Sequence, residues 1–255
     1  LGDFAVWSGV PGHGKSSALN HICCSLAFKH GLKTVFASFE QNPADDHKEN
    51  LQLWWLKKNK GYVDVDMDGV PIFDSPTQER ECMDWIDNNF WFVYPSDDEF
   101  PTVDYILERL ATLILRHDAK IVVIDPWNEI EHEVGNRQSP HEYASQAIRK
   151  FKSFAKKWGV HLVIVAHPTK IKPEMRDRPM SLYDIADTAS WNNRCDLGVV
   201  VFSQEVGMME IHVLKSRYHR KIGRPGLAKF YFNPTENFLS PVPEEEAVLI
   251  EKYGK

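Results

Sequence analysis

Gly9-Val10-Pro11-Gly12-His13-Gly14-Lys15-Ser16 matches the pattern GxxxxGK(S/T) at every fixed position, and the reading of the whole chain turns on it. Upstream, residues 4–8 form a short apolar run of strand length. Downstream, residues 15–29 carry a helical pattern. A strand, a tight turn and a helix are the context in which this pattern cradles phosphate. Glycines let the backbone turn its N–H groups inward, and the helix start adds positive potential. Lys15 can reach the β- and γ-phosphates, and the Ser16 hydroxyl can hold Mg²⁺. Gly9, Pro11, Gly12, His13, Gly14, Lys15, Ser16 and Ser17 are therefore read as the nucleotide-binding set. A chance Gly-rich turn is the competing reading, and the complete pattern in its proper context weighs against it.

Outward from this motif, apolar runs alternate with helical patterns. Strands are expected at residues 4–8, 33–39, 90–94, 120–125, 161–166, 197–203, 209–214 and 228–232. Helices are expected at residues 15–29, 43–59, 77–89, 102–117 and 140–158. Runs such as Ile121-Val122-Val123-Ile124 suit strands covered on both faces. The alternation predicts an α/β fold with a mostly parallel sheet and crossover helices. The last three strands are joined by short links and should form antiparallel hairpins at one edge. Residues 62–75 read as a loop or small excursion, and residues 171–179 as a long exposed loop.

Other candidate groups fall at strand ends, where open α/β sheets bind ligands. Asp125 follows four apolar residues and is read as a metal carboxylate. Glu129 is a weaker candidate for the same neighbourhood. Glu40 ends the run 34–39 and either activates water as a base or caps the following helix; spacing alone does not choose. His167 ends the run 161–166, either as a γ-phosphate sensor or as a structural histidine. The segment 214–224 is densely basic, either as a solvated turn or as a source of cations for a neighbour's nucleotide.

The bulk numbers set limits. At 255 residues and 43% hydrophobic, the chain can build a sizeable core. The longest apolar runs are strand-sized, so no membrane span is expected. The four cysteines lack a CxxC pair and read as buried free thiols, which fits a cytosolic setting. A net charge of −6 argues against a uniformly basic surface but leaves room for basic groups confined to a channel. The chain opens without Met directly on a core strand, so a piece of a longer polypeptide is expected. Trp54, Trp55, Trp127 and Trp191 read as core or interface, with base stacking as the lesser alternative.

The cradle, Ser38-Phe39-Glu40, Ile124-Asp125, Ala166-His167-Pro168-Thr169-Lys170 and Lys215-Ser216-Arg217 occur in that order. Together they resemble the helicase domain of phage primase-helicases and Twinkle-like helicases, within the DnaB-type superfamily. The resemblance implies a RecA-like helicase ATPase domain over residues 1–241, followed by an acidic tail, 242–255. It implies a hexameric ring that hydrolyses ATP or another NTP with Mg²⁺ and translocates on single-stranded DNA. A primase or other N-terminal domain and a linker would lie outside this chain. Lys15 and Ser16 would meet phosphate and Mg²⁺, Asp125 would hold Mg²⁺, Glu40 would be the base and His167 the sensor. Lys215 and Arg217 would act on the adjacent subunit's nucleotide, with Arg217 as the finger. DNA-facing loops would map to residues 126–137 and 170–184. Residues 189–194 depart from the family's usual small-residue or acidic pattern: they are bulkier and carry Arg194. The nearest rival is a RecA- or KaiC-like ATPase without unwinding activity. A small-molecule kinase and a non-enzymatic clamp stand further off.

Overall fold

The computed structural model describes residues 1–39, 46–95, 101–131, 139–170, 175, 177–203 and 207–243. In chain order these form β1 (Asp3–Ser8), α1 (Lys15–His30), β2 (Thr34–Ser38), α2 (Lys48–Lys60), β3 (Asp64–Val65), β4 (Pro71–Ile72), α3 (Pro76–Asn89) and β5 (Phe90–Val93). Then come α4 (Val103–His117), β6 (Ile121–Asp125), α5 (Pro140–Trp158), β7 (His161–Val165), α6 (Ser190–Arg194), β8 (Leu197–Phe202), β9 (Met208–Ser216), α7 (His219–Ile222), β10 (Gly226–Asn233) and β11 (Phe238–Pro241).

The main sheet has nine strands in the order β11-β10-β9-β8-β1-β7-β6-β2-β5. From β8 to β5 every pairing is parallel. From β8 outward through β9, β10 and β11 every pairing is antiparallel. The expected antiparallel edge is therefore present, with β8 as its hinge: it pairs in parallel with β1 and antiparallel with β9. The strand β11, the short helices α6 and α7 and the β3–β4 hairpin were not foreseen. The hairpin occupies the stretch read as a loop. The expected helix from residue 43 is described from Lys48 onward, and residues 43–45 lie outside the described residues.

Strand alternation sorts the core into two layers. Phe4 and Val6 of β1 pack with α4 and α5 on one face, whereas Ala5 and Trp7 pack with α1, α2 and α3 on the other. Helix α5 buries Ala144, Ala147, Ile148, Phe151, Phe154 and Ala155, a stripe at helical spacing. Its start is fixed by a capping box between Ser139 and Glu142. Ser75 and Thr102 cap α3 and α4 with a single bond each, their hydroxyls accepting from the Gln78 and Tyr105 N–H groups.

All four tryptophans singled out above are buried: Trp54 2%, Trp55 9%, Trp127 0% and Trp191 0% exposed. The stacking alternative fails for a simple reason: a ring enclosed by protein has no face to offer a base. Trp127 and Trp191 pack edge to face with centroids 5.4 Å apart. The four cysteines are free and buried. Burial pushes the Cys23 and Cys82 thiols up to about 12. Among the described residues no helix is long and apolar enough to cross a membrane.

Candidate nucleotide site

Strand β1 delivers the chain into the cradle at the carboxyl end of the sheet. Gly14 stands at the N-cap of α1 with φ 80°, and no side chain caps this helix. The contrast with α3, α4 and α5 matters. A helix start presents backbone N–H groups and positive potential that suit an anion, and here no N-cap side chain competes for them. A Cβ on Gly14 would also collide with the Met209 side chain of β9. The positive φ is what requires glycine here, since the Met209 methyl ends a flexible side chain and can turn aside.

Lys15 is only 6% exposed, and its ammonium donates to the Gly9 carbonyl at 3.1 Å and the Val10 carbonyl at 3.3 Å. Its amine is held inside the loop by oxygens that a phosphate oxygen could replace. The Ser16 hydroxyl donates to Asp125 Oδ2 at 2.6 Å. Parallel pairing explains the meeting: β6 lies two strands from β1, and Asp125 is its last residue.

Pro11, Gly12, Gly14, Lys15, Ser16 and Ser17 line a cavity of about 510 Å³ together with Asp125 and His167. Phe232 of β10 adds an apolar ring to this lining, a contribution no local pattern announces. The His13 ring turns toward β8: it accepts from the Ser203 N–H at 3.4 Å and packs edge-on against Phe202. Partial burial, then the charge of Lys15, hold His13 below the usual histidine range. Glu40 lies outside the described residues, as do residues 132–138, 171–174 and 176 of the two expected loops and the tail from 244.

His167 follows β7, and its backbone N–H donates to Asn128 Oδ1 at 3.1 Å. Asn128 thereby joins the ends of β6 and β7 beside the cavity. Beyond His167 the chain is pinned again. Ala186 N–H donates to the His167 carbonyl at 3.0 Å, and Thr169 N–H to the Asp184 carbonyl at 3.1 Å. Trp127 donates its ring N–H to Asp187 at 2.8 Å, which ties the stretch after Asp125 to the same segment.

Lys215 and Arg217 are elsewhere. Val200 of β8 pairs with Ser8 beside the cradle, whereas Leu197, at the other end of β8, pairs with Ser216. The basic pair therefore stands at the end of the strands opposite its own cavity.

Among the described residues no three His, Cys, Asp or Glu side chains are grouped to hold a metal. Ser16 and Asp125 offer two hard oxygens, which suits a cation that completes its shell with phosphate and water.

The profile of a family described as AAA domain matches residues 1–172. The chain belongs to this AAA domain family. Such domains bind nucleotide. A Twinkle homolog protein of chloroplasts and mitochondria from Arabidopsis thaliana is 30% identical over 248 residues. That alignment covers 95% of this chain and 34% of the plant protein, so the chain spans about a third of its relative's length. A solved ATPase domain superposes with a TM-score of 0.72 at 15% identity, over 94% of this chain and 85% of that one. A DnaB-like replicative helicase, described with its interactions with primase, gives a TM-score of 0.72 at 15% identity. It covers 95% of this chain and 59% of that one. At such identity the likeness is one of fold. The RecA-like α/β class and the Twinkle and DnaB-type resemblance read from the sequence are both borne out.

Proposed function

We propose that this chain is the motor domain of a replicative ring helicase, which hydrolyses ATP or another NTP to move along single-stranded DNA and open duplex. One observation carries the reading. Cradle, Asp125 and His167 converge on one cavity, while the basic pair Lys215–Arg217 lies at the far end of the strands, where another chain's nucleotide could meet it.

In this reading residues 1–241 are the motor and residues 242–255 an acidic tail. A linker and a primase or other domain belong to the longer protein. Subunits close into a hexamer in the cytosol or an organelle matrix. Lys15 moves from the Gly9 and Val10 carbonyls to the phosphates. Ser16 and Asp125 would hold Mg²⁺, which would supply positive charge to offset that of the phosphates. Gly9, Pro11, Gly12, His13, Gly14 and Ser17 complete the backbone cradle. Glu40 orients and deprotonates water. Lys215 and Arg217 of the adjacent subunit offset charge on the transferring phosphoryl group, with Arg217 as the finger. His167 registers phosphate loss and, through its bonds to Asn128 and Ala186, reports it to the loop at residues 168–184. DNA held through its phosphates would make binding salt-sensitive and largely independent of sequence.

The deciding experiment measures NTP hydrolysis with and without single-stranded DNA, on a protein extended upstream, beside Glu40→Gln. Strong stimulation by DNA that the variant loses is expected. Hydrolysis indifferent to DNA, or dependent on a small-molecule acceptor, would overturn the reading.

A further inference from the structure

Strand β9 begins with a regular apolar face: Met209, Ile211 and Val213 pack on the α1–α2 side of the sheet. Unbroken alternation would turn residue 215 to that side as well. The register slips instead. Val199 pairs with Val213 but Gly198 pairs with Lys215, so Leu214 is the extra residue of a β-bulge. One inserted residue moves every side chain beyond it to the other face. Lys215 and Arg217 thus emerge on the α5–α6 side.

There, three cations meet the last three carbonyls of α6. The Lys215 ammonium donates to the Asn192 carbonyl. Arg217 Nη2 donates to the Asn193 carbonyl at 2.7 Å, and Lys152 of α5 donates to the Arg194 carbonyl at 2.9 Å. These are carbonyls that a helix end leaves without partners. One carboxylate ties the set together. Asp196 has a side chain only 2% exposed. Its Oδ1 accepts from Lys152 at 2.6 Å and lies 3.8 Å from Arg217 Nε. Its Oδ2 accepts from the Phe4 N–H of β1 at 3.2 Å, and its carbonyl accepts from the Arg217 N–H at 2.8 Å. The anchor is therefore the central strand of the sheet. Three cations against one carboxylate leave the cluster positive, and Arg217 is its most exposed member, at 37%.

We infer that Asp196, with Lys152 and the C-terminal turn of α6, is the positioning device that aims Lys215 and Arg217 at the adjacent subunit's nucleotide. The inference rests on the trans-acting role proposed above for this pair. Asp196 and Lys152 are positioning residues, since they act through Lys215 and Arg217. A geometric error of an ångström at such a group costs about ten- to a hundredfold in rate.

The test is complementation in the full-length, assembled protein. Asp196→Asn alone should lower the kcat of DNA-stimulated hydrolysis about tenfold or more, with nucleotide affinity of the subunit's own site little changed. Mixing it with Lys15→Ala subunits, which have a dead cradle but an intact cation set, should restore hydrolysis above the sum of the separate proteins. Loss without rescue would mean that Asp196 serves only its own subunit's fold, and would overturn the inference. Lys152→Met keeps the aliphatic stem and decides the matter if Asp196→Asn does not fold: loss with rescue is expected, and full hydrolysis or unrescued loss overturns the inference. Arg217→Ala is run beside both. If it is rescued while Asp196→Asn or Lys152→Met keeps full activity, the positioning device alone falls. If Arg217→Ala itself loses nothing, the trans-acting reading falls with it.

Discussion

Ser16 and Asp125, 109 residues apart in the chain, are joined by a 2.6 Å hydrogen bond from hydroxyl to carboxylate. The two oxygens are hard donors of the kind Mg²⁺ takes, and they stand side by side. The sheet has already brought together what the metal would require.

Asp125→Asn tests this directly. The amide keeps the side chain's shape and can still accept from Ser16, so the melting temperature should change little. Nucleotide binding should lose its dependence on Mg²⁺, and hydrolysis should fall by about a hundredfold or more. Titrating Mg²⁺ against nucleotide affinity measures the first effect. Unchanged metal dependence would remove Asp125 from the ligand set.

Gly14→Ala should injure both fold and site. The alanine would be forced into a left-handed conformation, and the Met209 methyl would have to turn aside, at a cost of about 1–2 kcal/mol. Denaturant midpoints with and without nucleotide would show a less stable protein that nucleotide no longer protects. A variant as stable as the parent would contradict the geometry at the start of α1.

Asn128→Ala removes the acceptor of the His167 N–H. The lost bond, exposed to water, should cost about 0.5–1 kcal/mol of stability, and DNA-stimulated hydrolysis should drop while nucleotide affinity holds. Parallel Tm and hydrolysis measurements suffice. No change in either would mean that the two strand ends need no bridge.

Acid should destabilise the protein through its buried histidines. Burial holds His47 down to about 4, and burial with Lys29 and Lys58 nearby does the same to His21. The unfolded chain takes up protons as pH falls through 6.5, whereas the folded chain resists until about 4. Stability is therefore lost across that window and is fully present above it. His47→Gln should flatten the slope of urea midpoint against pH between 7 and 5. An unaltered slope would assign the acid response to other groups.

Much of this molecule was legible in the sequence, for a definable reason. The cradle is a contiguous run, and Asp125 is marked by the apolar residues before it. Both signals are local. Asn128 was overlooked because its partner is 39 residues away, and nothing about an asparagine after a strand announces that contact. Asp196 was overlooked likewise: its partners Phe4, Lys152 and Arg217 come from three separate elements. The β9 pattern announced a strand, but its slip at Leu214 depends on the pairing with Gly198 and Val199 across the ladder. The short strand β11 is defined by its pairing with β10, a relation that composition does not carry.

The paired bonds at 167–169 and 184–186 have a consequence for the chain between them. Between them, Met180 and Leu182 are buried in the core on the α4–α5 side of the sheet. The stretch is thus fastened at its two ends and again by its apolar side chains. What happens at the end of β7 is thereby tied to the packing of the core, and a cavity cut at Leu182 would be felt beside the cradle.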